Sequence, residues 1–197
     1  ARPRSLLEML RIRDFALLYG ATVFVSLGLF VPFVFIAAFA EDRGVGDVAA
    51  ASLVGIIGGA SVVGRLGLGG LADRVGAVRL FKASFVIVTL SHVIWLLAGG
   101  GYGILVLYTV VLGVGYGGFI ALSPAVAALR FGLEGLGGLL GTMYTAAAIG
   151  SLAGPPLAGA LIDNWGYRTA ISFAVTVSAV AVLILSAFRL PEVGPAH

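Results

Sequence analysis

The sequence contains no cysteine and few charged residues. None of its 197 residues is a cysteine, and only 11% are Asp, Glu, Lys or Arg. The lack of cysteine excludes disulfide bridges and thiolate metal sites, and the two histidines, His92 and His197, lie too far apart in sequence to form a local metal cluster. We therefore expect neither a metal site nor a redox cofactor, and no other cofactor is predicted.

Apolar residues, by contrast, are abundant. They make up 60% of the chain, and the mean hydropathy is +1.11. A chain of this composition cannot cover a soluble globule with polar surface. The basic residues behind the net charge of +3 are scattered through the turns and form no stripe, so no nucleic-acid partner is expected. The composition predicts an integral membrane protein surrounded by the lipid bilayer.

Six apolar segments are each long enough to cross a hydrocarbon core, which takes about 20 helical residues. They run roughly over 15–40, 48–71, 78–98, 102–128, 137–162 and 167–188. Short turns with Gly, Asp or Asn separate them, and no linker is long enough to join two soluble domains. We predict an all-α membrane protein, with residues 1–197 forming a single bundle of six transmembrane helices.

Lys and Arg are unequally divided between the two sets of turns. Nine of them lie at the termini or in the turns near 72–82 and 129–136, whereas only Arg43 and Arg168 lie in the opposite turns. Because basic residues concentrate on the cytoplasmic side of membrane proteins, this bias predicts a multi-pass protein of the cell membrane with both termini cytoplasmic. The chain opens at Ala1 with a basic, polar stretch like that of an interdomain linker, so we expect it to be part of a longer chain.

A repeat of 90 residues runs through the chain, and both copies read GxxxxGxLxDxxG. The shift aligns Ser61, Gly64, Gly69, Leu71, Asp73 and Gly76 with Ser151, Gly154, Gly159, Leu161, Asp163 and Gly166. The first copy ends at the cytoplasmic side and the second at the outer side. The sequence therefore predicts two three-helix repeats, about 12–99 and 102–190, related by inversion as in many transporters. Chance matching in a glycine-rich sequence is the alternative.

One cation, Arg65, is predicted to lie within a span. It stands about seven residues, or roughly 10 Å, inside the cytoplasmic end of the second span. A cation at that depth costs at least about 2.5 kcal/mol unless an anion or water compensates it. Every Asp and Glu lies at a terminus or in a turn, so the partner must come from outside these spans. A substrate carboxylate bound bidentately by the guanidinium would be such a partner. The alternatives are an acidic residue in a missing half of the protein, or an Arg65 side chain that extends to the headgroups.

A resemblance to a known family follows from these motifs. The stretch from Gly69 to Gly76, GGLADRVG, resembles the signature turn of the major facilitator superfamily, in its copy within the second half of the fold. Arg65 just before it, the residues LSP at 122–124 followed by FG at 131–132, and the stretch from Gly150 to Asp163 together resemble the monocarboxylate transporter and oxalate/formate antiporter branch. The resemblance implies the carboxyl-terminal half of a twelve-helix transporter. An amino-terminal six-helix half, or a second copy, is then an expected partner.

The same resemblance implies a substrate site. In that branch the arginine of this helix binds the substrate carboxylate, which assigns the role to Arg65, and the aromatic stretch from Tyr116 to Phe119 falls where the branch lines its cavity. Some members carry an aspartate one turn before the arginine, where this chain has Ser61. Tyr116 can donate a hydrogen bond to a carboxylate and Phe119 can form an apolar wall. For both rings, packing between helices is the alternative.

A second group of residues is predicted to serve conformational exchange: Gly69, Asp73, Arg74, Gly76, Gly154 and Pro155. Asp73 and Arg74 are expected to cap the adjoining helix end and to pair across a gate. Pro155 and the following Pro156 interrupt the hydrogen bonds of the fifth span, so we expect a bend there.

His92 is a candidate proton carrier. It lies near the middle of the third span, and histidine is the side chain whose charge changes near physiological pH. A neutral histidine that is packed and hydrogen-bonded between helices is the alternative.

Together these observations predict a secondary carrier that moves a small monocarboxylate or dicarboxylate by alternating access, as a symporter or antiporter. An intramembrane serine protease would need a GxSxG elbow, and the nearest stretch, GASVVG at 59–64, has valine in place of the second glycine. We therefore expect no enzyme. A truncated or split half that does not transport without its partner half is the alternative.

Overall fold

The computed structural model describes residues 6–188, and in that range the chain forms nine α-helices and no strand. They are α1 (Leu6–Leu10), α2 (Arg13–Leu29), α3 (Val31–Glu41), α4 (Asp47–Gly70), α5 (Ala72–Val75), α6 (Ala77–Leu97), α7 (Tyr102–Phe131), α8 (Leu136–Trp165) and α9 (Tyr167–Ser186). Six stretches are long and apolar enough to cross a membrane: α2 with α3, then α4, α6, α7, α8 and α9. The prediction of an all-α, six-span fold is confirmed. Arg2, Arg4, Arg189 and His197 lie outside the described residues.

The first span is divided into two helices, which the sequence analysis did not predict. Helix α2 ends at Leu29, and α3 begins at Val31 after the single residue Phe30. Pro32 is the second residue of α3. Proline has no backbone N–H, so it cannot continue the hydrogen bonds of a helix that arrives from α2, but it fits the first turn of a new one. The break therefore places Pro32 in the first turn of α3, where a helix tolerates proline.

Each three-helix unit packs its first helix against the other unit. Helix α2 lies against α8 and α9, whereas α7 lies against α4 and α6, and α6 also meets α9. The first helix of each unit thus contacts the second and third spans of its counterpart. An exchange of this kind is what a twofold relation between the units would produce, because each contact then occurs twice.

Two glycines make matching contacts in the two units. A methyl group on Gly28 of α2 would lie 2.9 Å from a backbone carbonyl oxygen of α9, and one on Gly115 of α7 would lie 3.1 Å from a carbonyl oxygen of α6. The contacted residues stand 90 positions apart: Ser84 and Val88 in α6, Ala174 and Ser178 in α9. Only glycine allows helices to approach this closely. The repeat seen in the sequence thus recurs in the packing, while its boundaries at 12–99 and 102–190 stay a prediction.

Polar and aromatic contacts tie the helix ends together. Near the start of α2, the carboxylate of Asp14 forms an ion pair with Arg130 at the end of α7. At the same end of the bundle, the Lys82 ammonium donates a hydrogen bond of 2.6 Å to the carbonyl oxygen of Phe188. At the opposite end, the Arg43 guanidinium lies 3.6 Å from the centroid of the Phe39 ring. These contacts fix the ends of α2, α3, α6, α7 and α9.

Helices α4 and α8 are the least buried of the six spans. Their exposed side chains are largely apolar: Leu66 of α4 is 74% exposed and Leu152 of α8 is 76% exposed. The two helices are equivalent members of the two units, so the bundle presents two comparable apolar surfaces. Lipid or another protein must cover these surfaces in the membrane, because apolar area of this extent is not left in water.

Candidate functional site

Arg65 lies at the edge of the exposed side of α4. The buried positions of this helix include Ser61 and Gly64, whereas Val62, Val63 and Leu66 are exposed along with Arg65. A rotation of about 100° per residue places Arg65 on the border between the two sides, next to α7. The side chain therefore starts at a packed helix crossing and ends outside it.

No residue in the described range 6–188 forms an ion pair or a hydrogen bond with the Arg65 guanidinium. The ion pair found among those residues is the one between Arg130 and Asp14, near the end of the bundle. The nearest polar side chain along the helix, Ser61, directs its hydroxyl to the carbonyl oxygen of Gly58 at 2.7 Å. A partner for Arg65 from outside these helices stays a prediction.

Tyr116 stands beside an aromatic pair that the sequence analysis missed. Its ring lies edge-on to Phe30, with centroids 6.2 Å apart, and to Phe33, with centroids 5.7 Å apart. Phe30 and Phe33 are one helical turn apart and flank Pro32 at the break between α2 and α3. That spacing beside a proline is the signal that could have identified them. We call Phe30, Phe33 and Tyr116 the aromatic trio.

The structure brings Tyr116 and Arg65 to the same helix crossing. Tyr116 directly precedes Gly117, and a methyl group on Gly117 would lie 2.9 Å from the backbone nitrogen of Arg65. Tyr116 is only partly buried, so its hydroxyl is not enclosed in the core. The backbone geometry is therefore compatible with the predicted placement of Arg65 and Tyr116 in one substrate site.

Phe119 lies elsewhere, contrary to its predicted position in the site. Its ring is 5% exposed and packs against Phe81 and Phe85 of α6, with centroids 6.1 and 5.6 Å away. Three residues beyond Tyr116 correspond to a net turn of about 60° around the helix, and this turn directs Phe119 toward α6 while Tyr116 faces the aromatic trio. Packing in the core, the alternative given for this ring, is the arrangement found.

His92 is fully buried between helices. Its Nδ1 lies 3.1 Å from the hydroxyl of Ser178 on α9, and its ring centroid is 6.3 Å from that of Tyr108 on α7. Among the described residues neither His92 Nε2 nor the Tyr108 hydroxyl has a hydrogen-bond partner. The geometry is that of a histidine bonded across helices, away from the exposed side of α4. Proton carriage by His92 stays a prediction.

The turn after α4 contains the predicted gating residues. Asp73 and Arg74 are exposed in the short helix α5, and Asp73 lies in its first turn, where a carboxylate is favoured. Within residues 6–188 no basic side chain pairs with Asp73, so the expected contact is not formed by this part of the chain. Gly76 has φ +100°, a value that favours glycine, and it separates α5 from α6. A methyl group on Gly69 would lie 3.5 Å from the side chain of Ala121, which is an ordinary contact distance.

Gly154 and Pro155 lie in the middle of α8, which is continuous from Leu136 to Trp165 through both prolines. The expected bend therefore does not interrupt the helix. A methyl group on Gly154 would overlap the carbonyl oxygen of Leu27, so α8 and α2 touch backbone to backbone at this point. No cluster of His, Asp and Glu that could hold a metal ion occurs among the residues that the structure describes.

Comparison with known proteins places this architecture among transporters. Residues 18–197 match the model of the Major Facilitator Superfamily. The MFS-type transporter opdF of Penicillium oxalicum is 33% identical over 96% of this chain and 46% of its own length. Monocarboxylate transporter 11 of Homo sapiens is 33% identical over 99% of this chain and 45% of its own length. Monocarboxylate transporter 2 of Rattus norvegicus is 29% identical over 91% of this chain and 39% of its own length.

The fold has a counterpart among solved structures. The crystal structure of an auto-inhibited POT family peptide transporter superposes with a TM-score of 0.79 at 15% sequence identity, covering 94% of this chain and 39% of the other. At that identity the likeness concerns the fold alone. In every one of these comparisons the chain spans less than half the length of the protein that it matches.

Proposed function

The chain belongs to the Major Facilitator Superfamily, and from that premise we propose that it forms the substrate-binding, carboxyl-terminal half of a secondary carrier for small organic anions. Membership in this family supports membrane transport as the activity, and we propose no enzymatic reaction. The substrate class, the partner half and the site residues are the proposal. The cell membrane as location, with cytoplasmic termini, is proposed on the distribution of Lys and Arg.

The unpartnered guanidinium of Arg65 is the observation that carries the proposal. It is exposed, it lies within an apolar span, and no carboxylate of residues 6–188 reaches it. A cation in that position is stable only while water or an anion solvates it. Two parallel N–H groups of a guanidinium match the two oxygens of a carboxylate, so a carboxylate anion is the ligand that fits best. The names of several relatives as monocarboxylate transporters support the same class.

The aromatic trio supplies a second element of the proposed site. Because Tyr116 precedes the glycine that touches the backbone of Arg65, its hydroxyl can approach an anion held by the guanidinium. A phenol donates one hydrogen bond to a carboxylate oxygen. The rings of Phe30 and Phe33, packed edge-on against Tyr116, offer apolar surface for the carbon chain of the substrate. The site would thus select a small anion with one charged end and one apolar end.

Transport would follow from movement of this half against another. In alternating access a site between two helix bundles opens to one side of the membrane and then to the other as the bundles rock. The exposed apolar sides of α4 and α8 are surfaces that a second bundle would cover. Asp73 and Arg74, which have no ion-pair partner within 6–188, are proposed to meet that second bundle at the gate. Proton coupling is proposed to use His92, whose Nδ1 lies 3.1 Å from the hydroxyl of Ser178.

A half that does not transport alone is the second candidate. The observation that favours it is length, since the chain covers only 46% of opdF and 45% of human monocarboxylate transporter 11. Such a half would fold as a six-helix bundle and would transport only when a second half completes the site.

Uptake by vesicles tests both candidates. Proteoliposomes would be prepared with this chain alone and with the chain joined to an amino-terminal six-helix half, and uptake of labelled lactate, oxalate and formate would be measured. We expect saturable uptake in the joined form and none with Arg65→Ala. Uptake by the chain alone would remove the second candidate. If the joined form takes up none of these anions, or takes them up equally without Arg65, the proposed substrate class is wrong.

A further inference from the structure

Helices α4 and α7 are in direct backbone contact at the turn that carries Arg65. A methyl group on Gly117 would overlap the carbonyl oxygen of Ser61 and lie 2.9 Å from the backbone nitrogen of Arg65. In an α-helix these two atoms, four residues apart, belong to the same hydrogen bond. The α-carbon of Gly117 therefore rests against the one helical turn of α4 from which the Arg65 side chain departs.

Part of this crossing is common to both units of the bundle. A methyl group on Gly64 would overlap the carbonyl oxygen of Val114, just as one on Gly154 would overlap that of Leu27. The two glycines stand 90 positions apart and their partners stand 87 apart. These contacts belong to the architecture, since they occur in the unit that contains the arginine and in the unit that does not.

Gly117 has no glycine counterpart in the second unit. Applying the same shifts, Arg65 corresponds to Pro155 and Gly117 corresponds to Phe30. The second unit thus has neither the cation nor the glycine, and its bulky residue stands where the first span breaks. Arg65 and Gly117 both depart from the repeat, and the contact links them, because a methyl group on Gly117 would lie 2.9 Å from the backbone nitrogen of Arg65.

We propose that Gly117 is a positioning residue for the anion site: it fixes the backbone of Arg65 against α7, and so sets the place of the guanidinium relative to Tyr116. This rests on the proposed function. A long side chain can place its charge in many directions, so the position of its α-carbon decides which of them reach the ligand. Tyr116 adjoins Gly117, and its ring contacts Phe30 and Phe33, so one crossing holds both groups.

A matched pair of substitutions tests the proposal. Gly113 lies one turn earlier on the same side of α7, where the nearest neighbours of a methyl group would be Ala60, the carbonyl oxygen of Ile57 at 2.6 Å and the backbone nitrogen of Ser61. Gly117→Ala and Gly113→Ala both crowd the same helix pair, but only the former displaces Arg65, by on the order of 1 Å. Both would be introduced into the form of the transporter that takes up anion.

The readout is the KM for whichever of lactate, oxalate or formate the wild-type protein takes up, together with the maximal rate and the melting temperature. We expect both variants to lower the melting temperature. Gly117→Ala should also raise KM roughly tenfold, as for loss of one charge-assisted hydrogen bond, whereas Gly113→Ala should leave KM within about twofold. Equal changes in KM, or an unchanged KM in Gly117→Ala, would overturn the proposal.

Two further variants separate the possible failures. If Arg65→Ala leaves KM unchanged, both the proposed anion site and the positioning role of Gly117 are wrong. If Arg65→Ala abolishes uptake while the two glycine variants behave alike, only the positioning role is wrong. Should Gly117→Ala yield no folded protein, the double change Arg65→Leu with Leu66→Arg moves the guanidinium to a position that is 74% exposed in the wild type. A wild-type KM in that variant contradicts the proposal, and a raised KM supports it.

Discussion

At the scale of single residues, the charge of Arg65 and its shape have separable consequences. Arg65→Lys keeps the positive charge but replaces two parallel N–H donors by a compact ammonium. We expect the fold to be retained, because the side chain is exposed and has no polar partner within 6–188. The KM for the transported anion should rise roughly tenfold, as for loss of one charge-assisted hydrogen bond, while Arg65→Ala should abolish uptake. Uptake kinetics in proteoliposomes, with melting temperature as the control, check this.

His92 allows a similar separation between chemistry and packing. If His92 carries a coupled proton, His92→Gln should remove the pH dependence of uptake, because glutamine does not titrate. Ser178→Ala removes the same interhelical hydrogen bond but keeps the imidazole, and should preserve that dependence. Each variant should lose roughly 0.6 kcal/mol of stability, the average for such bonds in membranes. Unchanged pH dependence in both variants would leave His92 as a packing residue beside Tyr108.

The sequence was least informative at the level of side-chain direction. It identified both Tyr116 and Phe119 as lining residues, since both are aromatic and close together in the fourth span. The structure separates them, because α7 lies between two sets of neighbours: Tyr116 meets Phe30 and Phe33, whereas Phe119 packs against Phe81 and Phe85 of α6. Phe30 and Phe33 were missed because their relation to Tyr116 exists only after distant helices have packed. Arg65, in contrast, was identifiable from the cost of an unpaired cation in an apolar span.

At the scale of helices, the glycine contact between α8 and α2 predicts a large effect of a small substitution. Gly154→Ala places a methyl group against the carbonyl oxygen of Leu27, and the backbone cannot move aside as a side chain can. We expect a loss of about 1–3 kcal/mol, which is typical of overpacking. Gly141→Ala is the control on the same helix, since nothing lies within 4 Å of a methyl group there. Unfolding in detergent would compare the two, and equal stabilities would contradict the assigned helix contact.

Hydropathy was sufficient to locate the helices but not their interruptions. All six predicted spans are found, with ends shifted by a few residues, because the length of a hydrocarbon core sets a strong constraint on apolar segments. Hydropathy did not predict the break at Phe30, because the residues around Pro32 are as apolar as those of an uninterrupted span. Conversely, Pro155 and Pro156 predicted an irregularity that does not interrupt α8. A proline thus removes one backbone hydrogen bond, and packing against neighbouring helices decides whether the helix is interrupted there.

At the scale of the whole molecule, the absence of cysteine allows a direct test of orientation. Arg79→Cys and Arg168→Cys each introduce the sole thiol of the chain, one in the first turn of α6 and one in the first turn of α9. With cytoplasmic termini, a membrane-impermeant maleimide applied to intact cells should label the variant at 168 and not the one at 79. Both should react after the membrane is opened. The reverse pattern would invert the proposed topology.

The exchange of contacts between the two units also has a consequence for synthesis. The Tyr19 hydroxyl of α2 forms a hydrogen bond with the Thr145 hydroxyl of α8, and the two residues are 126 positions apart in the chain. At about 5–20 residues per second, a ribosome needs on the order of ten seconds to deliver the second partner after the first. During that interval the first span is already made while α8 and α9 are not. Thr22 and Ser26 are buried in the finished bundle. Until α8 and α9 have been made, the hydroxyl groups of these residues lack that packing. The first span therefore enters the membrane with two polar side chains that are not yet enclosed.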